Sequence, residues 1–487
     1  MTNRLLLATA AILACGGLLG AAAAPTAPAP TVPAPTGPAA PTAPTAPAVP
    51  AASAAFVGAG DPYLPLAGTG GLHVRHYALS LAYTPKAQHL DGDAVLSATA
   101  TQDLGAFGLD LLGLDVHRVV VDGQPVSWSR DGQKLEVTLG RTVAKGGDFT
   151  IEVNYGGKPT PITDADGSLD GWIAEPGDHG AFVAGEPQGA MTWFPCNSHP
   201  IDKSTYDVTV TVPAGYTAVS NGVLRTQRTT NGKSTFAWHE SAPMAAYLAT
   251  ASVGRFDVDQ YWTDSKLPVY VAVDPAEADD AFPVLDKLPE VISWEASRFG
   301  PYPFDAAGAI VAHDSKIGYA LESQTRPVYD EAPDIDTLVH ETAHQWFGDS
   351  VTLTQWKDIW LNEGFATYTE WLWDADHGGK STKARLAALY ALPANDPLWA
   401  YPAGNPGDLR HLFGEPSYAR GAMTLEELRE AVGDTAFFTI LKRWTSAHRH
   451  GHGTTADFEA LSASVSGKNL DSLFATWLYA SGKPAKM

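Results

Sequence analysis

Two short signatures constrain this chain more than anything else in it: His340-Glu341-Thr342-Ala343-His344, and after residues 345–361 the run Asn362-Glu363-Gly364-Phe365-Ala366. On an α-helix, positions i and i+4 lie about 40° apart around the axis, so His340 and His344 leave one face and reach one metal ion with their imidazole nitrogens. A carboxylate from elsewhere in the chain completes the set, and the second signature supplies one in Glu363. Three protein ligands leave the fourth tetrahedral position to water, the mark of a catalytic rather than a structural zinc site. Glu341 lies about 100° around from His340, too far to ligate but placed to take a proton from that water.

The residues around the pair predict a helix. Asp334 is a suitable N-cap, Ile335, Leu338, Val339, Ala343 and Trp346 recur at helical spacing, and Gly348 fits a C-terminal stop. A second helix is expected over Leu361 to Ala375, closed by Gly378-Gly379.

Further upstream the pattern is different. From about Asp61 to Phe256 short alternating stretches are broken by Gly, Pro, Asn and Asp: His76 to Ala82, Val119 to Val121, Lys134 to Leu139, Phe149 to Tyr155, Tyr206 to Val212 and Thr235 to His239. Beyond about Tyr261 longer helical stretches follow, including Asp279 to Phe299, Thr424 to Val432 and Asp471 to Tyr479. The chain therefore reads as a multi-domain α+β protein, with an all-β domain over 61–256 and a mainly α catalytic domain over 257–487.

The first residues read as an export signal over 1–24: Arg4, an apolar stretch from Leu5 to Leu19, then small residues. Ile12-Leu13-Ala14-Cys15 also resembles a lipoprotein cleavage box, which would anchor the chain through Cys15. The apolar run continues past Cys15, which favours ordinary cleavage and an exported protein. Residues 25–60 form a linker rich in Pro, Ala and Thr, with ten prolines between positions 25 and 50. It is expected to be extended and polyproline-like. With the signal removed, Cys196 has no partner for a disulfide and is expected to be a buried thiol. The formal net charge of −22 argues against nucleic acid or an anionic membrane as partner. No stretch outside the signal approaches a membrane span, and the oligomeric state is not written in the sequence.

Taken together, these motifs resemble the gluzincin aminopeptidases, the group of aminopeptidase N and leukotriene-A hydrolase. The likeness covers nearly all of the chain after the linker. It implies a saddle-like N-terminal β-domain, a thermolysin-like catalytic domain and one zinc ion per chain held by His340, His344 and Glu363, with Glu341 as proton carrier. Tyr319-Ala320-Leu321-Glu322-Ser323 stands where the family has Gly-Ala-Met-Glu-Asn, the element that holds a substrate's amino terminus. Tyr319 and Ser323 depart from that pattern. Glu186, nine residues before Pro195 in Phe194-Pro195-Cys196, matches a second amine-binding position. Tyr418, in Tyr418-Ala419-Arg420-Gly421, resembles the family's Tyr-x-Lys-Gly tyrosine, with Arg for Lys, and would donate a proton to the oxyanion.

The resemblance implies a zinc aminopeptidase acting on peptides with a free N-terminus. A zinc endopeptidase, or a zinc-binding surface module without turnover, remains the alternative. Many relatives continue into a large helical domain, so a more open cleft is expected here. His448, His450 and His452 alternate with Arg and Gly and are expected to form a solvated loop.

Overall fold

The structure is a computed structural model that describes residues 58–485, apart from residues 166 and 314–316. The export signal, Cys15 and nearly all of the proline-rich linker lie outside the described residues. Among the described residues, no helix is long and apolar enough to cross a membrane.

All six stretches expected as strands are strands; most place alternate apolar side chains on one buried face, whereas Val119–Val121 is an unbroken buried run. The N-terminal part is built on an eight-stranded sheet in the order Val223–Thr230, Lys233–Ala245, Lys203–Pro213, Leu72–Thr84, His89–Ala100, Asp148–Gly157, Asp115–Val121, Gln124–Pro125. Its centre is a parallel pair, Leu72–Thr84 beside Lys203–Pro213, in register His76 to Thr205. Tyr77, Leu79, Leu81 and Tyr83 of the first strand face inward and are buried. A second, five-stranded sheet joins Thr217–Ser220, Ala251–Gly254, Ala181–Ala184, Leu169–Ala174 and Ile162–Thr163. It carries the loop that holds Glu186. Cys196 is a free, fully buried thiol whose ionisation is opposed by burial and then by the nearby Asp110.

The next strand, Asp257–Trp262, opens a different five-stranded sheet, ordered Asp257–Trp262, Pro268–Val273, Ala307–Val311, Val328–Tyr329, Ala320–Leu321. Helices α1 (Ala278–Leu285) and α2 (Leu288–Phe299) follow its second strand. They replace the single helix expected there, with Pro289 in the first turn of α2, where its missing N–H costs nothing. Then come α3 (Ile335–Ala343), α4 (Trp360–Asp376), α5 (Thr382–Tyr390), α6 (Gly421–Val432), α7 (Asp434–Ala447), α8 (Thr455–Ser466) and α9 (Asp471–Phe474). The result is a β-rich N-terminal part followed by a largely helical part.

The two parts share a core. Tyr270, Ile310, Leu321, Val328 and Trp356 of the second part pack in one apolar cluster with Trp172, Trp193, Phe194 and Tyr247 of the first. Arg326 adds a polar tie. Its buried guanidinium donates to the carbonyls of Gly222 (2.6 Å), Tyr270 (2.7 Å) and Ala307 (2.7 Å). A buried cation needs such satisfaction, since an unpaired one costs several kcal/mol, so this junction is fixed in direction as well as in area.

Candidate active site

Helix α3 starts where the sequence places it: the Asp334 carboxylate accepts from the Thr337 amide at 2.8 Å. It ends earlier than Gly348, with His344 as its C-cap. The last turn tightens, with the Gln345 and Trp346 amides donating three residues back to Thr342 and Ala343. His344 keeps helical dihedrals (φ −58°, ψ −25°), so it still shares a face with His340.

The two imidazoles and the Glu363 carboxylate converge. Glu363 Oε2 lies 3.4 Å from His340 Nε2 and 3.5 Å from His344 Nε2. The other ring nitrogens are occupied: His340 Nδ1 meets Glu370 Oε1 at 2.6 Å, and His344 Nδ1 faces the Phe347 carbonyl at 3.0 Å. Those contacts fix both rings with Nε2 turned to the common centre, which is how metal-binding histidines are held. Nitrogen and oxygen donors with ligand atoms all within 4.8 Å of one another fit a divalent cation such as zinc. Charge points the same way. Burial pushes the His344 imidazole down, but Glu322 and Glu363 outweigh it and raise its pKa to about 9. Glu363, despite burial, is lowered to about 2 by the two imidazoles. The centre of this site favours positive charge.

Glu370 was not singled out from the sequence. It lies seven residues after Glu363, two helical turns, and so on the same stripe of α4 facing α3. That spacing was the available signal.

Glu341, buried, has one carboxylate oxygen without a protein partner. Its oxygen lies within 4.8 Å of ligand atoms on Glu322 and His344. Burial raises its pKa to about 7 against the opposing pull of His340 and His344. A carboxylate poised near neutrality can accept and return a proton.

Glu322 follows the edge strand Ala320–Leu321 and is buried. Its backbone carbonyl accepts from Gln345 Nε2 at 2.9 Å, while Gln345 Oε1 accepts from the Thr325 amide at 2.7 Å, so one side chain clamps this loop to the end of α3. Ala320 is half-buried in the strand. Tyr319 turns its hydroxyl to the Leu169 carbonyl (2.8 Å), tying the strand to the N-terminal part. Glu186 arrives from that same part. Carboxylate oxygens of Glu186, Glu322 and Glu363 lie within 4.8 Å of one another, although Glu186 and Glu322 are far apart in sequence. Burial, then Glu322 and Glu363, push the Glu186 pKa well up. Such a crowd of acids calls for a cationic ligand.

Tyr418 sits in a wide, π-helical turn, Pro416–Arg420, ahead of α6. Its ring stacks beside His340, centroids 6.1 Å apart and planes inclined by 23°. Burial and the surrounding Glu363, Glu186, Glu322 and Glu341 keep its hydroxyl protonated, hence a donor. His340, Glu341, His344, Glu363, Glu322, Glu186 and Tyr418 are thus brought together, while Ala320 lies on the strand that leads into Glu322 and Tyr319 just before it.

Two further groups there went unread. Tyr247, buried in the N-terminal part, is opposed in its ionisation by burial and by Glu186 and Glu322. Asp349, just after α3, is fully buried with neither carboxylate oxygen partnered. The histidine run is a correction. Gly451–Gly453 pairs in parallel with Val351–Leu353, and His448 Nδ1 contacts the His452 carbonyl at 2.6 Å. Burial lowers His450 and His452 to about 4, so they are half-buried neutral rings and not a solvated loop.

Known proteins resemble both parts of this fold. The Peptidase M1 N-terminal domain matches residues 73–248 and the Peptidase family M1 domain matches residues 304–477. A leucyl aminopeptidase of Saccharolobus solfataricus is 25% identical over 77% of this chain and 50% of its own length. Tricorn protease-interacting factor F2 of Thermoplasma acidophilum is 27% identical over 77% of this chain and 49% of its own. The chain thus spans about half the length of the curated relatives it matches. Among solved structures, an M1 zinc metallopeptidase from Deinococcus radiodurans superposes with a TM-score of 0.81 and 30% identity, covering 88% of this chain and 98% of that one. A mutant M1 zinc metallopeptidase of that organism, bound to a Tyr-Ser-Ala substrate, gives 0.80 and 29%, over 88% and 100%. Both halves of the fold having counterparts in one group, this chain belongs to peptidase family M1.

Proposed function

We propose that the chain is a zinc aminopeptidase, removing single amino acids from peptides that carry a free N-terminus. His340, His344 and Glu363 would hold one zinc ion per chain. When bound, the metal supplies Lewis acidity, acidifying water and polarising the substrate carbonyl. Glu341 takes the proton of the attacking water and passes it to the leaving amine. Tyr418 donates a hydrogen bond to the carbonyl oxygen as it gains charge. Loss of one such donor costs about 3 to 4 kcal/mol of barrier.

The convergence of Glu186 and Glu322 carries the exopeptidase reading. Their carboxylates lie beside Glu363, within 4.8 Å of its oxygen, so an ammonium gripped there sits next to the metal ligands. A buried ammonium requires paired negative charge. The first peptide bond is then the one within reach.

The test compares amino-acid arylamides with their N-acetylated forms, with and without chelator. The free forms should be cleaved, the blocked forms should not, and Glu322→Ala should erode that preference. Ready cleavage of acetylated peptides by the unaltered enzyme would make it an endopeptidase. Metal analysis should return one zinc per chain.

We also propose export, on the strength of the apolar N-terminal stretch and the small residues that close it. The mass of the mature N-terminus checks this. A chain retained inside the cell with residues 1–24 intact would refute it.

A further inference from the structure

Arg420 lies two residues after Tyr418, at the end of the same wide turn, and its guanidinium is fully buried. Among the described residues, no carboxylate is one of its hydrogen-bond partners. Nε donates to the Trp477 carbonyl at 2.7 Å, and Nη2 to those of Ala480 at 2.6 Å and Thr476 at 3.3 Å. Nη1 donates to the carbonyls of Gly482 and Tyr401, each at 3.3 Å. Burial brings its pKa down to about 10, which leaves it charged at neutral pH.

Four of those five carbonyls belong to Thr476–Gly482, the last turn of the final helical segment, Ala475–Tyr479, and the residues that follow it. The final carbonyls of a helix have no partners within it and carry partial negative charge, so a cation is the natural group to close them. The same stretch is held elsewhere. Lys483 Nζ donates to the Leu392 carbonyl at 2.8 Å and lies over the Tyr390 ring, while the Tyr390 hydroxyl donates to the Pro484 carbonyl at 2.9 Å. The Gly404 amide donates to Leu478 at 2.9 Å.

Wide turns of this type recur at functional sites, and their looser geometry needs outside support. The front of the Tyr418 turn has it, since Ser417 Oγ donates to the Leu412 carbonyl at 2.9 Å. Arg420 is the anchor of its far end.

We propose that Arg420 is a positioning residue and Thr476–Gly482 its clasp, together fixing the Tyr418 hydroxyl for the reaction. The inference rests on the donor role given to Tyr418 above. An apolar side chain would fill the same space without a large desolvation cost, but it would not fix direction; a guanidinium fork bonded to five carbonyls does. A catalytic donor displaced by about 1 Å can lose about a hundredfold in rate.

The experiment is a double-mutant cycle on the zinc-loaded enzyme. One arm ends the chain at Tyr479, removing the Ala480 and Gly482 carbonyls and the Lys483 contacts. A second arm is Arg420→Lys, which keeps the charge but can reach fewer carbonyls. Each is measured alone and with Tyr418→Phe, with thermal melting alongside. Truncation should lower kcat about tenfold or more with KM within about twofold, and Arg420→Lys should fall between it and the parent. In the Tyr418→Phe background the same changes should cost less than about twofold, because the group they position is gone. Equal fold losses in both backgrounds would reduce the clasp to general scaffolding, and unchanged kcat in both arms would remove it altogether. Should one variant fail to fold, the other arm still decides. If Tyr418→Phe alone leaves kcat untouched, the donor assignment itself is wrong, a failure separate from that of the clasp.

Discussion

Gly364 and Gly421 touch backbone to backbone. A Cβ built on Gly364 would lie 2.9 Å from the Gly421 Cα and 3.0 Å from its carbonyl carbon. Gly364 follows the candidate ligand Glu363 in α4, and Gly421 opens α6 just after the Tyr418 turn. The missing side chains set the distance between the carboxylate and the phenol.

Gly364→Ala should therefore damage activity as well as stability. Backbone must move on one side or the other, at a cost of about 1 to 3 kcal/mol in overpacking, and the displaced Tyr418 turn should cost about a hundredfold in kcat. Gly140→Ala is the control, since a Cβ there meets nothing within 4 Å. Comparable kcat values for both variants would show that the close approach does not tune the site.

Glu341→Gln separates proton transfer from metal binding. The side chain keeps its size and loses its basicity, so kcat should drop by about a hundred- to ten-thousandfold while zinc content stays at the parental level. Loss of metal along with activity would place Glu341 among the ligands instead.

The sequence exposed the local half of this site. Asp334, the helical spacing after it and the paired histidines lie within one short segment, where periodicity and capping are readable. Glu186 and Glu322 are joined only by tertiary structure, and no local pattern carries that; a family resemblance had to. The same limit explains the misread histidine run, because its ordering comes from Val351–Leu353, far upstream, through a strand pair only three residues long. The wide turns at Tyr418 and at Ala475–Tyr479 have no periodic signature of their own. Glu370 was readable, two turns from Glu363, but only once both were known to face one helix.

Glu370→Gln should weaken zinc without removing a ligand. The carboxylate 2.6 Å from His340 Nδ1 orients the ring and raises its basicity. Loss of such an outer partner typically costs ten- to about a hundredfold in metal affinity, which competition against a calibrated chelator would read directly. Unaltered affinity would show that the His340 rotamer is held by packing alone.

Glu240 should give the fold a pH dependence of its own. It is buried where the N-terminal part meets the loop after Glu322, accepting from the Ala242 amide at 2.9 Å and the Thr325 hydroxyl at 3.3 Å. Burial raises its pKa from 4.5 to about 8, with Asp305 adding to the shift. In the unfolded chain the group ionises near 4.5; in the folded protein it keeps its proton until about 8. The folded state thus binds more protons across that interval, so stability falls as pH rises through it and levels off above. Glu240→Gln cannot ionise and should be free of this loss. Measured by denaturant unfolding, the variant should gain steadily on the parent between pH 5 and 8, by about 1 kcal/mol or more at the upper end. Parallel stability curves for the two proteins would mean that Glu240 is ionised in the fold, with the Ala242 amide and Thr325 sufficing to hold its charge.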